Sequence, residues 1–150
     1  MKHLMRALFV AIAMCGVGQP AQAQTGKPVT IVDANLIKEA DLAKLPHMNA
    51  ALAKAVIAKR PFKTIKDFDA ALSSLSKADR AELYTKVFVP INLNTATDEE
   101  ILLIPMIGNR MLREFKEYRP YKNMEQFRRE IGKYVKAGEL ARLERYVTLN

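Results

Sequence analysis

The residues best suited to chemistry lie within residues 101–112, around the short hairpin segment 105–108 (Pro-Met-Ile-Gly). The spacing of apolar residues predicts a helix before this segment and another over residues 109–118. The first backbone amides of the second helix, and the positive end of its dipole, would point out of the turn, and such helix starts bind anions. Gly108 permits a positive φ and the close approach of another molecule, and we expect Ile107 to lie in the core.

Two arginines could strengthen an anion site at this helix start. Arg110 and Arg113 lie in its first turns, where guanidinium groups can contact a phosphate directly. The predicted phosphate-binding residues are therefore Ile107, Gly108, Asn109, Arg110 and Arg113. A helix start that carries solvated cations explains the same residues without a ligand, and both interpretations stay open at this point.

Further cations could extend this site into a basic groove. They are Lys116, Arg128, Arg129, Lys133 and Lys136. Acidic neighbours such as Glu114 and Glu117 are equally typical of an ordinary mixed surface. The formal net charge of +8 suits a polyanionic partner, but many basic proteins bind nothing anionic, so charge does not decide between the two.

The elements that must position this segment occur twice in the chain. A shift of about 59 residues aligns Asn35 with Asn94, and residues 60–63 with residues 119–122, without a gap. Further matches are Pro46 with Pro105, Phe68 with Phe127, and Lys77-Ala78 with Lys136-Ala137. Segments 60–63 and 119–122 are closely similar to each other. We interpret both as turns with an aromatic anchor, and a binding role for them stays open.

Each copy is predicted to be all-α, with four or so short helices. Repeat 1 spans residues 32–90 and repeat 2 spans residues 91–150. Capping-box patterns predict helix starts at Thr64, Ser76 and Thr97. The predicted helices are residues 50–59, 65–72, 77–87, 98–104, 109–118, one that follows Asn123, and 138–146. Extended linkers are expected at residues 29–32 and 87–91.

These motifs resemble the ComEA-type helix-hairpin-helix domain. The resemblance rests on residues 92–96, the capping box at Thr97, residues 104–108 and residues 118–122, and it extends over both copies. That family includes exported competence receptors that bind double-stranded DNA without sequence preference during DNA uptake. A similar repeat in an extrinsic photosystem II subunit serves protein contacts. The resemblance therefore implies tandem helix-hairpin-helix repeats that bind either DNA or a protein.

The two copies depart from the family pattern to different degrees. The family's hairpin carries two glycines around an apolar residue, followed by a proline and a lysine. In repeat 2, Met106 replaces the first glycine, Gly108 keeps the second, and Arg110 stands for the lysine. In repeat 1, His47 and Asn49 replace both glycines, and no cation follows. We expect Asn49 to reach positive φ less easily than glycine, and repeat 2 to bind phosphate better.

The pattern of residues 1–23 is typical of a cleaved secretory signal. A basic start precedes an apolar run at residues 7–17, and residues 21–23 (Ala-Gln-Ala) suit a signal peptidase. An uncleaved anchor fits less well, because the run is about half as long as a membrane-spanning helix, and so does lipid attachment at Cys15. We expect a periplasmic or secreted protein, with a linker at residues 24–31 and no stable membrane anchor after cleavage.

No catalytic constellation is recognisable in the sequence. The only cysteine, Cys15, lies in the predicted signal, so the mature part offers no thiol and no disulfide. Its one histidine, His47, lacks the partners for a metal site and is better explained as a turn residue. The sequence also lacks a nucleophile–base pair and a phosphate loop of nucleotide-binding type. We therefore expect a binding protein without catalysis, cofactor or metal.

Two functions remain open from the sequence. The first is an exported protein that binds double-stranded DNA non-specifically through its phosphate backbone, in the context of DNA uptake. The second is a structural or protein–protein interaction module that kept the fold and lost DNA binding. The sequence assigns no oligomeric state in either case.

Overall fold

The computed structural model describes residues 30–149. The predicted signal peptide, residues 1–23, and residues 24–29 of the predicted linker lie outside this range. Residues 30–149 form eight short α-helices and two pairs of two-residue strands, so the chain is mostly helical, as expected. None of the helices in this part of the chain has the length and apolar character needed to span a bilayer.

The first half of the chain contains four helices between two short strands. They are β1 (Val32–Asp33), α1 (Glu39–Leu42), α2 (Ala50–Ile57), α3 (Ile65–Ala71), α4 (Lys77–Leu83) and β2 (Val87–Phe88). The starts of α2, α3 and α4 agree with the predicted ones, and side chains cap all three, whereas α1 is not among the predicted helices and has no side-chain cap. Thr64 forms a full capping box with Asp67. Ser76 accepts from the amide of Asp79 at the start of α4.

The second half has the same order of elements. They are β3 (Ile91–Asn92), α5 (Asp98–Leu102), α6 (Asn109–Glu117), α7 (Met124–Ile131), α8 (Ala137–Leu143), a 3₁₀ turn (Glu144–Tyr146) and β4 (Val147–Thr148). Thr97 forms the predicted capping box with Glu100. Most predicted helices are one or two residues too long, and two of them are too long by three residues or more. The one over 77–87 ends at Leu83, and the one over 138–146 ends at Leu143 before the 3₁₀ turn.

The spacing between the two halves changes once along the chain. α1, α2 and α3 begin 59 residues before α5, α6 and α7, whereas α4 begins 60 residues before α8. The second half therefore has one extra residue before its last helix. The match of Lys77 with Lys136 made by the gap-free alignment is wrong, because the helix position of Lys77 is taken by Ala137.

The segments expected to be extended linkers instead form short parallel ladders. Val32 of β1 pairs with Val87 of β2, and Ile91 of β3 pairs with Val147 of β4. The last strand of each half thus lies beside the first strand of the same half. Two-residue strands are too short to produce a recognisable alternation of apolar and polar residues, so the pairing left no signal in the sequence.

The turns at residues 60–63 and 119–122 are hydrogen-bonded to residues near the start of the same half. The side chain of Asn94 donates to the carbonyl oxygen of Tyr121 (3.0 Å) and accepts from its amide (2.7 Å). Asn35 makes the same two bonds with Phe62, at 3.0 and 2.8 Å. Arg119 donates to the carbonyls of Leu93 and Ala96, and Arg60 donates to that of Ile37. The most faithful matches between the halves therefore serve the fold.

Both halves contribute to one hydrophobic core. The rings of Phe88 and Tyr146 meet edge to face with centroids 4.8 Å apart, and the Tyr146 hydroxyl donates to the carbonyl of Tyr84 (3.0 Å). On the surface, Lys66 of α3 pairs with Glu99 of α5 at 2.5 Å. The two halves therefore pack against each other through buried aromatic residues.

Candidate nucleic-acid interface

The connection between α5 and α6, residues 103–108 and here named hairpin 2, ends in an uncapped helix start. Gly108 occupies the N-cap position of α6 and offers no side chain to accept from the first amides. Within the described part of the chain, the amides of residues 109–111 have no hydrogen-bond acceptor. Three donors and the positive end of a nine-residue helix thus face solvent, which is the arrangement that binds an anion.

Gly108 does not use the positive φ that glycine permits. Its φ of −112° and ψ of 175° are extended. The left-handed residue of hairpin 2 is Met106 (φ 65°), two positions earlier. A Cβ on Gly108 would meet nothing within 4 Å. Neither backbone strain nor space therefore demands glycine here, and its effect is to leave the amides of α6 uncovered.

The other predicted phosphate-binding residues lie just before α6 or in its first turns. Ile107 packs, half-buried, against the core, while Asn109, Arg110 and Arg113 are exposed. The Arg110 guanidinium carbon lies 5.9 Å from the centre of the Tyr134 ring. Neither arginine forms an ion pair within residues 30–149, so both charges are free to meet an anion.

The equivalent connection between α1 and α2, residues 44–49 and here named hairpin 1, has a closed helix start. Asn49 is the N-cap of α2, and its side-chain oxygen accepts from the amide of Leu52 (2.9 Å). Its φ of −145° is extended, so Asn49 does not use the positive φ that asparagine can adopt. The left-handed residue is His47 (φ 63°). No arginine follows, because Ala51 stands where hairpin 2 has its first cation.

Hairpin 1 is also held against two carboxylates. His47 Nε2 lies 2.9 Å from the carboxylate of Glu82, and Nδ1 lies 3.3 Å from that of Asp79, both on α4. The hydrogen bond with Glu82 raises the pKa of His47 above its ordinary value, and the negative charge of Asp79 adds to this. No cluster of metal-ligating side chains is present among the described residues. The acidic surroundings disfavour a phosphate at hairpin 1.

Most members of the predicted basic groove are neutralised by neighbouring carboxylates. The pairs are Lys116 with Asp98, Arg128 with Glu144, and both Arg129 and Lys133 with Glu130. Lys136 forms no ion pair within residues 30–149. The mixed-surface interpretation therefore describes the outer face of α7, whereas the start of α6 keeps its free cations.

A groove beside hairpin 2 was not anticipated from the sequence. It has a volume of about 340 Å³ and runs between α4 and hairpin 2. Met106 is 88% exposed and Leu102 is 42% exposed, which is unusual for large apolar side chains. The lining also includes Asp69, Lys77, Arg80, Ala81, Tyr84, Leu103, Ile104, Pro105 and Ile107. No periodicity in the sequence signals the groove, because it forms between the two halves.

No protein-family model, curated protein or solved structure matches this chain.

Proposed function

We propose that this chain is a tandem helix-hairpin-helix protein that binds double-stranded DNA through its phosphate backbone, independently of sequence. Repeat 2 makes the contact. The single observation that carries the proposal is the open start of α6, where three unpaired amides lie beside the exposed cations Arg110 and Arg113.

The shape of the two hairpins supports the assignment to the helix-hairpin-helix class. In each half a pair of short helices is joined by a tight turn whose left-handed residue, His47 or Met106, precedes the N-cap of the next helix by two positions. The same turn in two places, 59 residues apart, indicates a repeated structural unit rather than a local accident.

Phosphate binding at hairpin 2 would follow from the donors present there. Phosphate oxygens would accept from the amides of residues 109–111, and Arg110 would add a charge-assisted hydrogen bond. Contacts of this kind carry no sequence information, because every nucleotide presents the same phosphate. Together with the predicted secretory signal at residues 1–23, this supports a role outside the cytoplasm, such as capturing DNA for uptake.

The test is a titration with fluorescently labelled duplexes of unrelated sequence, read by anisotropy between 50 and 200 mM salt. We expect equal affinity for all duplexes and a logarithmic salt slope of roughly −2 to −4, as for a few phosphate contacts. R110E should weaken binding about tenfold or more. K54E reverses an exposed charge on α2 and should change it little. Absent or salt-insensitive binding, or equal effects of the two variants, would overturn the proposal.

A second candidate is a protein-interaction module, which the groove between α4 and hairpin 2 favours. Exposed Met106 and Leu102 would be covered by an apolar surface of a partner. Photo-crosslinking from positions 102 and 106 in the native host tests this candidate, with Leu36 as control because it is exposed and lies outside the groove. A discrete crosslinked partner at the groove, together with absent duplex binding, would favour the second candidate over the first.

A further inference from the structure

One face of α6 carries side chains that have no counterpart in the first half. Arg110, Glu114 and Tyr118 recur every four residues, so they lie along one face of the helix. Tyr134, in the turn between α7 and α8, contacts this face. The corresponding residues of the first half are Ala51, Ala55 and Lys59 and, after the extra residue of the second half, Ser74.

Tyr134 is fixed at both ends. Its hydroxyl lies 2.8 Å from the hydroxyl of Tyr118, and its amide donates to the carbonyl of Ile131 (3.0 Å). The hydrogen bond with Tyr118, and then the nearby Glu114, raise the pKa of Tyr134 above its ordinary value. The Tyr134 hydroxyl therefore keeps its proton at physiological pH, and the ring is neutral. A neutral aromatic ring attracts a guanidinium group placed near its face.

The ring of Tyr134 lies where it can restrain Arg110. The guanidinium carbon is 5.9 Å from the ring centroid, within the range of a cation–π contact. Arg110 lies in the first turn of α6, next to the open amides. An unrestrained exposed arginine would sample many rotamers and would lose that freedom on binding a ligand. A ring that already holds the side chain reduces this loss.

We propose that Tyr134 is a positioning residue that holds Arg110 beside the open amides of α6, so that the arginine is pre-organised for a phosphate. The inference rests on the proposed function. It assigns a DNA-binding role to the turn between α7 and α8 without any direct contact between Tyr134 and DNA.

Two substitutions at one position test the inference. Y134L removes the ring but keeps an apolar side chain, whereas Y134F keeps the ring and removes only the hydroxyl. We expect Y134L to weaken duplex binding about two- to fivefold at low salt, the effect of losing a cation–π contact. Y134F should stay closer to the wild type. In an R110A background, Y134L should have no further effect, because the group it positions is absent.

A measurement without DNA separates positioning from a loss of folding. Ring-current shifts of the Arg110 side-chain protons, observed by NMR in the full chain, should be present in the wild type and in Y134F and lost in Y134L. If the wild type does not bind duplex, the proposed function fails, and this inference fails with it. If the wild type binds but Y134L binds equally well, or weakens binding as much in the R110A background, only the inference fails.

Discussion

Hairpin 1 and hairpin 2 share a backbone path and differ in what they present to solvent. In both, a bulky residue takes the left-handed conformation, His47 at φ 63° and Met106 at φ 65°. The two hairpins differ at the N-cap of the helix that follows. Asn49 accepts from an amide of its own helix, and Gly108 accepts from none. The shape of a turn and its capacity to bind a ligand are therefore set by different residues.

The surroundings of the two hairpins widen this difference. His47 fastens hairpin 1 to the carboxylates of Asp79 and Glu82 on α4. Hairpin 2 instead has Met106 pointing into solvent and two unpaired arginines in the following helix. An anion approaching hairpin 1 meets negative charge and a closed helix start, while one approaching hairpin 2 meets positive charge and open amides.

The largest effect is expected from closing hairpin 2. G108N gives α6 the N-cap of hairpin 1, and the extended backbone at this position accepts asparagine. Because the new side chain occupies an amide, duplex affinity should fall about tenfold, as for the loss of one charge-assisted bond. The free energy of unfolding should rise by a few tenths of a kcal/mol. G108A leaves the amides open and serves as the control. Unchanged affinity in G108N would contradict the role of the helix start.

Removing the cap from hairpin 1 should affect stability instead of binding. N49A leaves the amide of Leu52 without its acceptor, and such losses cost about 1 kcal/mol. Gly108 makes no side-chain bond, so G108A should cost roughly half as much or less. Urea unfolding of both variants measures the difference. Equal destabilisation by the two substitutions would show that the N-caps do not distinguish the hairpins.

Converting hairpin 1 toward hairpin 2 should produce a smaller gain. N49G opens the start of α2, and A51R adds the missing cation. The double variant should bind duplex about threefold more tightly, less than the loss in G108N, because Asp79 and Glu82 still disfavour a phosphate nearby. Anisotropy titrations at 50 mM salt measure the gain. Adding A51R alone controls for net charge, and a gain from A51R that equals the double variant's would show that the cap is irrelevant.

The smallest effect concerns the pH dependence of hairpin 1. The pKa of His47 is raised by its hydrogen bond with Glu82, so protonation stabilises the folded state. This contribution is fully present below the unfolded pKa of about 6.5 and is lost as pH rises through the raised folded pKa.

An NMR titration of the His47 ring should therefore give a midpoint above about 6.5, and E82Q should move it back. In urea unfolding, wild type minus H47N should give a larger stability difference at pH 6 than at pH 8.5. Asparagine is a suitable control because it tolerates a positive φ. A midpoint at or below 6.5 would show that the ion pairs do not form in solution.

Features set by local chemistry were predicted well. The starts of α3, α5 and α7 follow from Thr64, Thr97 and Asn123, whose side chains accept from amides three residues later. Helix ends were harder to place. Nothing between Leu83 and Val87 breaks a helix, and the chain leaves α4 because β2 pairs with a strand far away in the sequence.

Features set by tertiary contacts could not be read from the sequence. Glycine permits a positive φ, but the backbone at Gly108 is extended, and the positive φ of this turn lies at Met106. The bond between His47 and Glu82 joins hairpin 1 to α4, which no sequence pattern connects. The contact of Arg110 with Tyr134 likewise depends on how the turn between α7 and α8 packs. The sequence thus predicts a candidate site at the start of α6, whereas the residues that contact Arg110 and His47 become visible only in the packed structure.

The parallel pairing of β1 with β2, and of β3 with β4, brings the end of each half back to its beginning. A unit whose two ends meet can be inserted into a chain with only a short joint, and here that joint consists of Val89 and Pro90. Duplication of such a unit adds a second copy in series without pulling the first one open. The ladders thus give a physical reason why two such halves can follow one another in one chain while the helices of each half stay in place.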